Sequence, residues 1–313
     1  MGKSIAIVWN PSKTEKDTLE AALTDALGAD SSADIQWFET TEQDPGQGPA
    51  EAALAAGADL LIVAGGDGTV RAVAEQLADD SAEVDLAIIP LGTGNLFARN
   101  LDVPIDDVPA AFERAIQGDA RPVDVGWVEV ESEGRTERHG FVVMVGFGLD
   151  AQMIAETDDD LKDKAGWLAY IESLGRAVSA SDLVRFTVAI DDQPARTAEG
   201  HTFLIANCGT LQGGLTLVPD ADPSDGELDL LVLSAEGLAQ WLGTMKSMVW
   251  DNGLKRLIRN TDEVTDTDSL QHGRASRVAV TLPQARPFEI DGEEAGKTSE
   301  FTVTIQPSAI RVR

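Results

Sequence analysis

Four short apolar runs set the limits on how this chain can fold. Ser4–Val8 (SIAIV), Ile35–Phe38, Leu60–Ala64 (LLIVA) and Leu86–Ile89 read as strands buried within a sheet. Between and after them lie helical segments: Glu15–Leu27 ended by Gly28, Pro49–Ala56 closed by Gly57, Thr69–Leu77, Leu96–Asn100 and Asp106–Gln117. Alternation of this kind implies a mostly parallel sheet, because parallel neighbours need a crossover and the crossing helices cover the sheet's faces.

After Gly118 the texture changes. ARPVDVGWVEVES, HGFVVMVGFG, LVRFTVAID, TFLIANC, ELDLLVLS, ASRVAVTL, RPFEIDGE and EFTVTIQ are short runs, many of them alternating, separated by turn residues. This predicts antiparallel β structure of sandwich or barrel type. Two helical stretches, Ala151–Ala180 and roughly Gly237–Arg259, are expected to interrupt it. The reading is an α/β protein: residues 1–118 form a nucleotide-binding domain, and residues 119–313 a β-sandwich-like domain. The final strands are free to pack back on the first domain, and the cleft is expected between the two.

Ligands of an open α/β sheet bind beyond the carboxyl ends of its strands. Three loops leave such ends: Trp9–Lys13 (WNPSK), the AGGDGTV turn after the third strand, and Pro90–Leu101 (PLGTGNLFARNL). Their Gly, Asn, Thr and Ser content supplies N–H and hydroxyl donors for one polyphosphate, and Thr69 opens a helix whose dipole favours anions. Any one glycine turn serves equally well to start a helix; three converging on one edge point to a nucleotide phosphate site. No Walker A sequence accounts for them, since DGEEAGKT (Asp291–Thr298) begins with Asp, and LGTGNLFA has Phe97 where a third glycine belongs.

Charge excludes other partners. Lys and Arg number 24 against 54 Asp and Glu, a net charge of −30, which disfavours nucleic acid. The plain reading is an acid-biased, salt-adapted surface. The single cysteine, Cys208, allows no internal disulfide, and His139, His201 and His272 show no metal-ligand spacing. The opening MGKSIAIVWNPSK has too short an apolar run for a secretory leader, and no stretch reaches membrane-spanning length. A cytoplasmic protein is expected.

GGDGT, LGTGNLFAR and the early NPS together resemble the diacylglycerol kinase catalytic family, in particular its small prokaryotic lipid kinases. GGDG is shared with sphingosine kinase-like enzymes, NAD kinases and phosphofructokinases, whereas LGTGNLFAR (Leu91–Arg99) is far more specific for the lipid kinase branch. The similarity runs from Asn10 to about Glu293 through FETTEQDPG (Phe38–Gly46), VPDADPSDGELDLLVL (Val218–Leu233) and FEIDGE (Phe288–Glu293). The resemblance implies an ATP- and Mg2+-dependent kinase acting on the hydroxyl of diacylglycerol or a related lipid. A soluble-substrate kinase of the NAD kinase type and a non-catalytic nucleotide-binding regulator are the alternatives.

On that resemblance, Asn10, Gly65, Gly66, Asp67, Gly68, Thr69, Thr93, Gly94 and Asn95 fall on nucleotide-binding positions, and Thr40 or Thr41 on a phosphate-contacting threonine. Either threonine could equally cap a helix. Lys13 is the nearest basic helper. With no lysine in the glycine turn, Mg2+ must neutralise the phosphates, and Asp67 would act through that metal or its waters. A second acidic group, Pro219–Asp229, matches a structural Mg2+ site, with Asp222, Asp225 and the carbonyl of Glu227 as the ligand candidates; the alternative is an acidic surface turn. Asp291 and Glu293 flank a turn at Gly292. The lipid hydroxyl needs a proton acceptor, and Glu293 is favoured with Asp291 the contender.

A lipid kinase without a membrane span must work peripherally, at the membrane surface. Trp241–Asn260 is the most basic stretch, carrying Lys246, Lys255, Arg256 and Arg259 among apolar residues. It reads as a helix covering the β core or as a lipid-docking element. A dimer is an admissible assembly.

Overall fold

The computed structural model describes residues 4–28, 33–132, 134–148, 183–211, 216–233 and 272–313. The helices expected over 151–180 and 237–259, and the basic stretch 241–260, lie outside the described residues.

The first half alternates as its pattern requires. Strands β1 (Ser4–Trp9), β2 (Asp34–Glu39), β3 (Leu60–Gly65) and β4 (Asp85–Pro90) pair in parallel in the order β2-β1-β3-β4. Helices α1 (Lys16–Leu27), α2 (Gln47–Ala55), α3 (Asp67–Asp79), α4 (Leu96–Asn100) and α5 (Val108–Gln117) connect and follow them. β3 is buried along its whole length, the expected state of a central strand with helices on both faces. α3 begins at Asp67, two residues before the sequence reading placed it, so the GGDGT segment is itself the strand-to-helix turn. α5 is capped by Asp107, whose Oδ1 accepts the N–H of Ala110 (3.0 Å).

The remaining strands are β5 (Arg121–Ser132), β6 (Arg135–Phe141), β7 (Met144–Phe147), β8 (Val184–Ile190), β9 (Arg196–Gly200), β10 (Thr202–Ala206), β11 (Leu228–Leu233), β12 (His272–Ala275), β13 (Arg277–Ile290) and β14 (Glu293–Val312). They pair antiparallel with one another, and Phe147, Phe186, Phe203, Phe288 and Phe301 fill a core of their own. Phe186 stacks on Phe203 at 5.1 Å between centroids, and Phe147 meets Phe186 edge-on at 5.4 Å.

One strand belongs to both parts. β14 starts in the antiparallel region beside β13 and β5, then pairs in parallel with β4 through Arg311 and Val312 opposite Asp85 and Leu86. The register of β14 on β5 shifts between Gln306 and Ile310, where Ser308 has a φ of 51°. The end of the strand is fixed by Arg313, whose Nη2 and Nε reach Asp85 Oδ2 at 2.7 and 3.0 Å. Burial opposes ionisation of Asp85, but hydrogen bonds from Arg311 and Arg313 outweigh it and hold its pKa below the ordinary value. α3 lies against β14, β6 and β5, at the junction of the two parts.

Candidate active site

The three loops singled out in the sequence meet at the carboxyl edge of β1, β3 and β4. The Asn10 N–H donates to Ala64 O (2.9 Å), which continues β1 beside β3. Its Oδ1 accepts from the N–H and hydroxyl of Ser12 (3.0 and 2.7 Å), closing a local turn, while Nδ2 lies 3.5 Å from Thr69 Oγ1. The Leu91 N–H donates to Gly65 O (2.8 Å), so the third loop starts in register with the second. Beyond that bond Gly66 and Gly92 run backbone against backbone, and a Cβ on Gly92 would stand 2.8 Å from Gly66 Cα.

Asp67 sits at the first position of α3, and both its oxygens are engaged. Oδ2 accepts the Asn95 N–H (2.8 Å) and Oδ1 the Leu96 N–H (2.5 Å). The carboxylate thus satisfies the first donors of α4 from outside that helix. This cross-loop clamp is a role that the reading through a metal did not anticipate. Asn95 has the left-handed φ of 48° and folds back on Gly92, accepting its N–H and donating to its carbonyl (both 2.8 Å). Arg99 Nε holds Gly94 O at 2.7 Å, and Thr93 is exposed at the loop tip. Thr69 is buried beneath the turn.

The remaining phosphate candidates take different positions. Thr40 is buried, and its N–H donates to Trp9 O (3.0 Å). Thr41 is exposed, and its Oγ1 accepts the Asp44 N–H (3.1 Å) to close the following turn. Lys13 is exposed, with its Cε 3.8 Å from the place a Cβ on Gly66 would take. A basic stem therefore does lie over the glycine turn.

Asp291 and Glu293 arrive on the hairpin between β13 and β14. Asp291 (φ 50°) and Gly292 (φ 82°) form its two-residue turn, and Ile290 pairs with Glu293. The turn points the two acids in different directions. Asp291 is 5% exposed and accepts the N–H groups of Val142, Val143 and Met144 at 3.0, 2.8 and 3.0 Å. Burial pushes its pKa up to about 6, against the pull of those N–H groups and of the Arg71 charge. Glu293, with its side chain 52% exposed, reaches the glycine turn instead. Its Oε1 lies 2.7 Å from where a Cβ on Gly68 would stand, so only glycine admits the carboxylate there. Its Oε2 is 2.7 Å from Arg71 Nη2.

The acidic loop Pro219–Asp229 is cross-linked by its own turn and by one arginine. Asp222 Oδ1 accepts from the N–H and hydroxyl of Ser224. Asp225 Oδ1 accepts the Glu227 N–H, and its Oδ2 lies 3.1 Å from Arg274 Nη1. The same guanidinium reaches Glu227 Oε2 (3.1 Å), Asp229 Oδ1 (3.5 Å) and Asp220 O (3.0 Å). Arginine thus supplies the positive charge of the loop, and among the described residues no three acidic, His or Cys side chains gather around a metal position. Burial, with Asp225, Asp220 and Glu227 adding to it, raises the pKa of Asp229 to about 6 despite Arg274.

Three residues escaped the sequence reading. Arg71 was detectable as a basic residue one turn after Asp67 on the helix that the GGDG turn opens. Asp124 is fully buried and accepts the N–H groups of Gly226 (2.7 Å) and Ser308 (2.6 Å), tying the acidic loop to β14. Its signal was a lone acid between two valines at the start of an apolar strand. Arg274 had no local signal, because its partners are 45 or more residues away. Cys208 is buried and its thiol donates to Val142 O (3.3 Å), a packing role.

Residues 4–128 match the diacylglycerol kinase catalytic domain, and residues 143–313 match the YegS C-terminal NAD kinase beta sandwich-like domain. The chain is 33% identical over 271 residues to the protein named "Probable lipid kinase YegS-like" of Pseudomonas aeruginosa, covering 84% of this chain and 78% of that one. It is 28% identical over 240 residues to the diacylglycerol kinase of Bacillus subtilis, covering 76% and 72%. The fold is similar to that of a diacylglycerol kinase from Bacillus anthracis, with a TM-score of 0.71 at 23% identity over 99% and 96% of the two chains.

Proposed function

Because the chain belongs to the diacylglycerol kinase catalytic family, we propose that it transfers the γ-phosphoryl group of MgATP to the hydroxyl of diacylglycerol or a related lipid. The observation that carries this reading is the Glu293 carboxylate standing over Gly68. A proton acceptor from one half of the molecule lies against the glycine turn of the other.

Phosphoryl transfer asks the protein for positioning and charge neutralisation rather than covalent chemistry. The Gly66–Thr69 turn and the Thr93–Gly94 tip of the third loop offer the phosphates backbone N–H groups, and Asp67 holds the two loops in fixed relation. Magnesium enters with the nucleotide as part of the substrate. The Lys13 ammonium, carried over Gly66, adds the local cation. Glu293 accepts the hydroxyl proton on Oε1, whereas Asp291, enclosed by three N–H donors, shapes the hairpin that presents it. Among the described residues no helix is long and apolar enough to cross a membrane.

The test is incubation with labelled MgATP and either vesicles containing diacylglycerol or free NAD. Label in the lipid, lowered about 10²-fold or more by Glu293→Gln, is the expected result. Label in NAD, or in neither, would displace the reading.

A further inference from the structure

We propose that Arg71 is a positioning residue of this site, fixing the Glu293 carboxylate so that Oε2 is held and Oε1 stays available above Gly68. The inference rests on the proposed role of Glu293. Arg71 lies on α3, and its guanidinium grips both strands of the β13–β14 hairpin: Nη2 reaches Glu293 Oε2 at 2.7 Å and Nη1 reaches Ile290 O at 3.2 Å. Ile290 and Glu293 are the closing pair of that hairpin, so one planar fork sets both its height and the rotamer of its acid. The Arg71 side chain is 24% exposed.

The pair is poorly suited to a purely stabilising part. Glu293 is half in solvent, where such an ion pair contributes little to stability. The geometry serves direction instead. In the step assigned to the site, the lipid O–H bond breaks and its proton passes to Oε1. The freed oxygen bonds to the γ-phosphorus, the bond to the β–γ bridging oxygen breaks, and ADP leaves. An acceptor swung away from Gly68 is out of line with that oxygen, and misplacement by about 1 Å can cost about 10²-fold in rate.

The test compares Arg71→Gln, Arg71→Lys, Glu293→Gln and the double variant Arg71→Gln/Glu293→Gln, assayed with MgATP and diacylglycerol vesicles. Arg71→Gln is expected to lower kcat by about 10–10²-fold while the KM for ATP moves by less than about threefold. Arg71→Lys, which keeps the charge but loses the fork, recovers part of the loss. In the Glu293→Gln background Arg71→Gln has no further effect, since it acts through the acid. Full-sized losses in both backgrounds, or an unchanged kcat, would overturn the proposal. A crystal structure of Arg71→Gln decides independently of the substrate: the Glu293 carboxylate is expected to leave Gly68, and finding it in place refutes the positioning role. Failure of the wild-type protein to label any lipid would instead strike the proposed function and leave the crystallographic answer standing.

Discussion

Asp67 and Asn95 meet across two loops, with the Asn95 N–H donating to Asp67 Oδ2 at 2.8 Å and the neighbouring Leu96 N–H reaching the other oxygen. An acid at the centre of a glycine turn is thereby accounted for by backbone donors that need an acceptor. Asp67→Ala leaves both without one and is expected to destabilise the protein by about 1–2 kcal/mol. The KM for ATP should rise roughly tenfold as the loops separate. Thermal melting and steady-state kinetics read the two effects separately.

Gly68 offers a cleaner separation of fold from function. Gly68→Ala places a Cβ 2.7 Å from Glu293 Oε1, the far end of a side chain that can swing aside. Alanine also suits a helix better than glycine by up to about 1 kcal/mol. Melting is expected to be unchanged or higher by about 2 °C, while kcat falls by about 10²-fold.

Asp291 sets a pH dependence. Its pKa of about 6 in the folded protein lies above the ordinary value of 3.8. The folded state therefore keeps a proton that the unfolded chain releases between these values. This contribution is full below about pH 4 and is lost as pH rises through about 6, with a slope of at most about 1.4 kcal/mol per pH unit. Asp291→Asn removes the slope and leaves one of the three N–H donors without an acceptor. Urea titrations of both proteins across this range should show their stability difference shrinking as pH rises.

Arg274 holds Asp225, Glu227 and Asp229 together. Arg274→Gln is expected to lower stability by about 1 kcal/mol, because the pairs are partly exposed and screened, and to make melting respond to Mg2+. The wild-type protein should melt at the same temperature in Mg2+ and in chelator. A magnesium-dependent rise in the wild type would assign the loop a metal.

The parallel half was legible because buried strands write themselves as apolar runs, and the glycine turns marked where those strands end. The β-rich half was legible as a class from alternation in segments such as VRFTVAI, though not in its pairing order, which depends on contacts far apart in sequence. The site was legible as a set of motifs and opaque as a mechanism. GGDGT and LGTGN were read as parallel donors to phosphate, yet Asp67 and Asn95 also serve each other across 28 residues. Asp291 and Glu293 look equivalent in IDGE, and only the left-handed turn between them sends one inward and the other to Gly68. The sequence showed the carboxylates of the acidic loop and not their arginine, which arrives on a distant strand.

β14 carries the candidate proton acceptor at its start and the anchorage to Asp85 near its end. Any rocking of the β-rich half against the parallel half must therefore flex this ribbon. Its register on β5 slips around Pro307 and Ser308, where buried Asp124 accepts the Ser308 N–H in place of a ladder partner. A nick there would cut the strand that pairs with both sheet regions, so the acid over Gly68 is held in place from a distance.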